Sequence, residues 1–338
     1  MTPERLREIA GHYARLRIAV IGDFCLDRYL EIDPARAEIS IETGLPVYNV
    51  VKVRAQPGAA GTILNNLVAL GVGEIVPVGF CGEDGEGYEL LRALRSLPGV
   101  NAEHFLQTPE RRTFTYCKPL ILTPGEPPRE LNRLDSKNWS PTPEGVSAHI
   151  TEALEKLRPQ VDAIIVMDQV DVAETGVVTS ALLARVGAME RGASSIPIVA
   201  DSRRGLRGYP PCIFKMNAAE LASLTSKPAD SAVPEIQRIA GDLATKNGRT
   251  VFVTMAERGL VGAMATGEVE HVPSIPLRGP IDVVGAGDSV TANLTAALAA
   301  GASLRESLEL AALASSIVIH QLGTSGAAAP EQMAGLLK

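Results

Sequence analysis

Six short apolar runs, at 17–21, 75–78, 163–167, 196–200, 213–216 and 250–254, recur along this chain with a helix-length segment between most neighbours. Few architectures accept that rhythm. Strands without polar alternation must be covered on both faces, and strands separated by helices return in parallel, so the pattern predicts an α/β fold: a largely parallel central sheet between two helical layers. Helices are expected over 62–70, 88–97, 143–157, 173–189, 234–246, 286–299 and 304–320. With 338 residues, 46% hydrophobic and only 4% aromatic, Ala, Val, Leu and Gly must fill the core of what reads as a single domain, 1–338.

Two stretches break the alternation. Residues 45–53 read as extended, and 113–122 followed by 130–134 read as a hairpin across the turn signal Thr123-Pro124-Gly125. They lie in segments of about 30–54 and 111–135 that lack crossover helices, and predict a small separate sheet acting as a lid over the ligand-binding edge of the main one.

Net charge and residue spacing exclude several functions. A formal charge of −7 and a pI near 5.4 argue against nucleic acid as partner. The N-terminus has no apolar signal core and no uninterrupted apolar stretch reaches transmembrane length, so no membrane association and a cytoplasmic location are expected. Cys25, Cys81, Cys117 and Cys212 form no C-x-x-C pair and are expected to be reduced and buried. The five histidines show no metal-ligand spacing.

The chemistry is carried by Ile281-Asp282-Val283-Val284-Gly285-Ala286-Gly287-Asp288-Ser289, which runs directly into a segment of good helix formers. Gly285 and Gly287 allow the backbone to turn successive N–H groups toward one point, and the helix adds its N-terminal partial charge; a phosphate fits there. Asp288 would repel a phosphate as a ligand but suits a base that takes a proton from a hydroxyl about to attack phosphorus. An Asp in a first helical turn is also stabilising by itself, so its neighbours decide. The chain has no G-x-x-x-x-G-K-[ST], no H-R-D loop and no D-F-G, and Val290 stands where a dinucleotide fingerprint needs its third glycine.

Asp282 to Ser289 is similar to the D-T-x-G-A-G-D signature of the ribokinase-like (PfkB) carbohydrate kinases. Ile21-Gly22-Asp23 resembles that family's opening sugar-binding turn, Pro57-Gly58-Ala59-Ala60-Gly61 with Asn66 its Gly-rich helix start, Gly79 to Gly85 its G-x-x-G-x-D-x-x-G turn, and Asn217-Ala218-Ala219-Glu220 its N-x-x-E motif, all in family order. Gly22 to Tyr29, Asn132 to Asp135 and Leu322 to Ser325 further resemble the heptose-7-phosphate kinases of bacterial ADP-heptose synthesis. Glu38 replaces an Arg of that group, Thr62 an Asn, Asp171 a Lys, and a valine of the Val283-Val284 pair the signature Thr; the first and third of these changes set the chain against an acceptor bearing its own phosphate.

The resemblance implies a ribokinase-like three-layer fold and transfer of the γ-phosphate of ATP to a hydroxyl of a sugar or sugar phosphate. It implies catalysis by Asp288 with Gly285, Ala286 and Gly287, the N–H groups of 286–288 facing the transferred phosphate. Asp23, Asp27, Gly58 and Asn66 would bind substrate, and Asn217, Thr254, Gly259 and Asp282 the nucleotide. Glu220 would order hydrated Mg²⁺, although Asn217 and Glu220 also fit a helix capping box. The resemblance also implies a K⁺ site near Ile281, Val284 and the Gly323-Thr324 turn. A homodimer joined through exposed lid strands is expected. The alternatives are a nucleoside kinase, disfavoured by the scarcity of aromatic residues near Asp23, and a non-catalytic sugar- or nucleotide-binding regulator.

Overall fold

The structure, a computed structural model, describes residues 1–189, 196–228 and 230–337. Strand Arg17–Gly22 lies inside the main sheet between Glu74–Gly82 and Ala163–Asp168, parallel to both. Beyond Glu74–Gly82 runs Phe105–Thr108; beyond Ala163–Asp168 follow Ile198–Ser202, Ile213–Asn217 and Val251–Thr254, still parallel. Two antiparallel strands, Leu260–Ala263 and Val269–Val272, complete that edge of a nine-stranded sheet.

The period of two along each strand divides the apolar residues between two cores. Ala19, Ile21, Val76, Val78, Ile164 and Val166 meet one helical layer, which includes Glu144–Leu157 and Val233–Asn247. Ile18, Val20, Ile75, Ile165 and Met167 face the other, which includes Ala60–Ala69, Ala286–Ala299 and Leu304–Val318. All six expected strands form, with ends displaced by a residue or a few.

The largest departure is at 173–189, where the helix begins only at Ser180 (Ser180–Met189). The preceding residues instead fold around the Asp23 carboxylate, which accepts the N–H of Gln169 (2.7 Å), Val170 (3.3 Å) and Val177 (2.7 Å). A tertiary partner for three backbone donors outweighs helix propensity there.

The segments expected to leave the main sheet do so. Val50–Ala59 pairs antiparallel with Phe24–Ile32, which pairs in parallel with Thr115–Ile121. Phe24–Ile32, nine residues long, starts immediately after Asp23, where only a turn was expected; its buried Phe24, Leu26 and Ile32 anchor it. The hairpin after Thr115–Ile121 forms, but its second arm is only Arg129–Glu130. A two-stranded ribbon, Glu38–Ile39 with Pro46–Val47, is attached to this sheet's outer end.

The connection back to the body is tight. Strand Val50–Ala59 becomes helix Ala60–Ala69 without a loop, and Ala59, a non-glycine residue, takes φ 54° and ψ −117° at the corner. Ala60 N–H donates to the Asp23 carbonyl at 3.1 Å. Among the described residues no helix is long and apolar enough to cross a membrane.

Candidate active site

Helix Ala286–Ala299 has the bounds its sequence predicts, with Gly285 as N-cap at φ 82°, a left-handed conformation that glycine adopts without penalty. Asp282 shapes the approach: its carboxylate accepts from Val284 N–H at 3.0 Å and Gly323 N–H at 3.2 Å, so it ties the two loops together. The N–H groups of Gly287 and Asp288 have no hydrogen-bond partner among the described residues. Ala286, expected to donate alongside them, instead closes a turn onto the Val283 carbonyl at 3.2 Å. The anion hole is therefore two donors wide at its start.

A third group, this one a cation, completes it. A side chain at Gly287 would place its Cβ 3.1 Å from Lys215 Nζ, so the glycine leaves open the space between ammonium and helix end. Lys215 and Asp201 stand on adjacent parallel strands and form an ion pair of 2.7 Å, both buried; Thr291 Oγ1 also donates to Asp201 at 2.9 Å. Burial disfavours the lysine's charge, but the Asp201 carboxylate more than compensates, with Asp288 and Glu220 adding to it, and its pKa is raised. The Asp288 carboxyl is pushed up to about 7, by burial first and then by Asp201, with Lys215 opposing and Asp27 adding a smaller push. An acid poised near neutrality beside unpaired N–H donors and an ammonium has the properties of a general base at a phosphoryl-transfer site.

On one side of this centre three of the four expected nucleotide residues, all but Asp282, come together. Asn217 and Thr254 are opposite each other in register at the ends of neighbouring strands, and Gly259 turns the chain just beyond Thr254, accepting the Met255 N–H at 2.9 Å. Asn217 and Glu220 form the capping box: Oδ1 accepts from Glu220 N–H at 2.9 Å and Oε2 from Asn217 N–H at 2.7 Å. Burial and then Asp201 raise the Glu220 pKa, while the Asn217 N–H and Lys215 oppose it. Among the described residues no group of three or more His, Cys, Asp or Glu could cage a metal. Two carboxylates, Glu220 and Asp201, beside an anion hole nevertheless fit a hydrated magnesium ion that arrives with a nucleotide.

On the other side lie the expected substrate residues. Asp27 projects from strand Phe24–Ile32 and pairs with Lys118 at 3.5 Å. Gly58 faces it; a Cβ there would come within 2.5 Å of Asp27 Oδ2 and 2.7 Å of Cys25 Sγ, so any other residue would displace the carboxylate. Asp23 is buried and largely occupied with the 169–177 backbone; burial, then Asp168, raises its pKa to about 6 against those three hydrogen bonds. Asn66 turns inward: fully buried, it donates to the Thr62 carbonyl at 3.0 Å and the Gly326 carbonyl at 3.2 Å, joining helix and C-terminal loop.

The expectation that aromatic residues are scarce near Asp23 is overturned. Phe24, Phe80, Phe114 and Trp139 line one pocket with it, brought there from four segments distant in sequence. Sequence reasoning also missed Lys215 and Asp201, although a signal existed: a lysine inside the apolar run Ile213-Phe214-Lys215-Met216 must be buried, and a buried lysine needs a partner.

This frame is shared with sugar kinases. A ribokinase of Arabidopsis thaliana complexed with ribose and ATP superposes with a TM-score of 0.69, covering 96% of this chain and 99% of its own at 19% identity. Phosphofructokinase-2 of Escherichia coli in complex with fructose-6-phosphate does so with a TM-score of 0.71, covering 95% and 98% at 16% identity. The fold is ribokinase-like. Residues 16–332 match the pfkB family carbohydrate kinase profile, and the chain belongs to that family. The bifunctional proteins HldE of Azorhizobium caulinodans and Rhodospirillum rubrum are each 31% identical to it, over 94% and 98% of this chain; the chain spans 64% of the length of each.

Proposed function

We propose that the protein transfers the γ-phosphate of ATP to a hydroxyl of a sugar held between the main sheet and the small sheet, which serves as a lid, with Asp288 as general base. The observation that carries this reading is the Asp288 carboxyl, raised to about 7 beside the N–H groups of Gly287 and Asp288 and the Lys215 ammonium. Lys215 and those two donors hold the phosphoryl oxygens as charge builds on them, a contribution on the order of 3 kcal/mol for one good donor. Asp288 accepts the proton of the attacking hydroxyl, and Asp27 and Gly58 position the sugar. Magnesium bound with the nucleotide would neutralise phosphate charge; Glu220 and Asp201 are the carboxylates placed to orient its waters.

The test is ADP release with Mg-ATP against sugars, sugar phosphates and nucleosides, with the best acceptor carried from about pH 5.5 to 9. Asp288 must be ionised to accept a proton, so kcat/KM is expected to rise with pH through about 7 and level above it. A profile flat through neutrality would remove Asp288 from the role of base. Nucleotide binding with no turnover on any acceptor would instead favour the non-catalytic regulator. The aromatic pocket beside Asp23 keeps the nucleoside kinase as the second reading, and preferential turnover of a nucleoside would establish it.

A homodimer through the lid is part of this proposal. Strand Val50–Ala59 is the sheet's open edge, and Ile39, Ile41, Leu45, Tyr48, Val51 and Val53 around it are exposed. Light scattering should give twice the chain mass, and Val51→Lys with Val53→Lys should return it to the monomer; a monomeric wild type refutes the lid interface.

A further inference from the structure

Two cations and one carboxylate at the rim of the pocket beside Asp23 have no part in the chemistry above. Asp171 bridges them: Oδ2 accepts from Lys137 Nζ at 2.7 Å, and Oδ1 stands 3.2 Å from Arg203 Nε. Lys137 and Asp171 line the same pocket as Asp23, whose other walls include the apolar Phe24, Phe80, Phe114 and Val177 and the uncharged polar Asn138 and Thr175. The rim adjoins the acceptor face of the lid. Tyr116 is the register partner of Asp27, and its ring lies 4.5 Å from the Arg133 guanidinium and 5.7 Å from Lys137 Nζ.

The four cations around Asp27 and Asp171 are already matched, and Arg111, behind Phe80, spends its guanidinium on the Ser140, Pro141 and Thr175 carbonyls. Lys118 has Asp27 at 3.5 Å, Arg133 has Asp135 at 3.2 Å, and Lys137 and Arg203 share Asp171. Those four positive charges meet three carboxylates, and Asp23 below adds a fourth, so these groups have no net positive charge to offer. An anionic group on the acceptor would have to displace Asp171 from both partners, or lie beside it and Asp23 unneutralised. The hydrogen bond from Lys137 holds the Asp171 carboxyl below its usual range, so this competitor stays ionised at neutral pH.

We propose that Asp171 is a specificity-determining residue: by occupying Lys137 and Arg203 it restricts the acceptor to sugars without an anionic group at the end that reaches this pocket. The proposal rests on the kinase reading for its acceptor and deepens it by naming the acceptor's class, an unphosphorylated sugar or polyol.

Asp171→Asn tests it. The side chain is exposed and the substitution keeps its shape, so folding is not at stake. ADP release is measured for hexoses and for the corresponding hexose phosphates, and inorganic phosphate binding is followed by calorimetry. Wild type should prefer the neutral sugars, and the variant should shift the kcat/KM ratio toward the phosphorylated ones by roughly tenfold or more, as expected for freeing a charged hydrogen-bond donor. The variant should also gain inorganic phosphate binding, and adding Lys137→Gln should abolish that gain. A wild type that prefers the hexose phosphates, or a ratio unchanged in the variant, overturns the proposal. If no acceptor yields ADP, the kinase reading fails by itself, and the calorimetric comparison still decides whether Asp171 blocks an anion site; equal phosphate binding in both proteins says it does not.

Discussion

Asp288→Asn should fold, bind nucleotide and lose phosphoryl transfer by a factor on the order of 10²–10⁴, the range a positioned general base contributes. The residual rate measures what positioning and the anion hole achieve without a base. The same variant reports on stability. Because the folded carboxyl titrates near 7 and the unfolded one near 3.8, the folded state holds an extra proton between those values, and stability falls as pH rises through that window. Asparagine carries no such dependence. Thermal melts should therefore show the variant gaining on wild type from about pH 4 to 7 and keeping that advantage above it; a gap independent of pH would mean that the raised carboxyl is not Asp288.

Lys215→Met should be the most destabilising change at the site, because it leaves Asp201 buried with only the Thr291 hydroxyl for company. Breaking a buried pair from one side costs about 3–5 kcal/mol. Adding Asp201→Asn, which removes the stranded charge, should restore most of that loss in denaturant melts while leaving turnover depressed. Full activity in the double variant would show the pair to be structural only; a single variant as stable as wild type would show that Asp201 has another partner.

These residues also show where legibility in the sequence ended. The Gly285-Ala286-Gly287-Asp288 helix start was readable to its bounds because local chemistry determines it: two glycines, an acidic first turn and good helix formers. The parallel sheet was readable because both of its faces are apolar. Lys215 was overlooked because one charge inside an apolar strand is a faint signal until its partner 14 residues away is brought alongside. The loop around Asp23 could not be read at all, since the helical pattern at 173–179 is intact in sequence and only a carboxylate from near the N-terminus undoes it. The aromatic pocket is a product of topology, four rings that share no sequence neighbourhood.

The Ala59 corner bears on how the small sheet can move. A residue already in a sparsely populated conformation, between a Gly58 packed against Asp27 and an Ala60 tethered to Asp23, has little torsional freedom to give. That junction behaves as a rigid elbow and not as a pivot. If the small sheet closes over a ligand, as the proposed function requires, the movement would come from flexing and twisting along the long strands Phe24–Ile32 and Val50–Ala59, away from the place where Asp27 and Gly58 meet. Asp27 and Gly58, proposed above to position the sugar, would then keep their geometry while the outer end of the sheet moves.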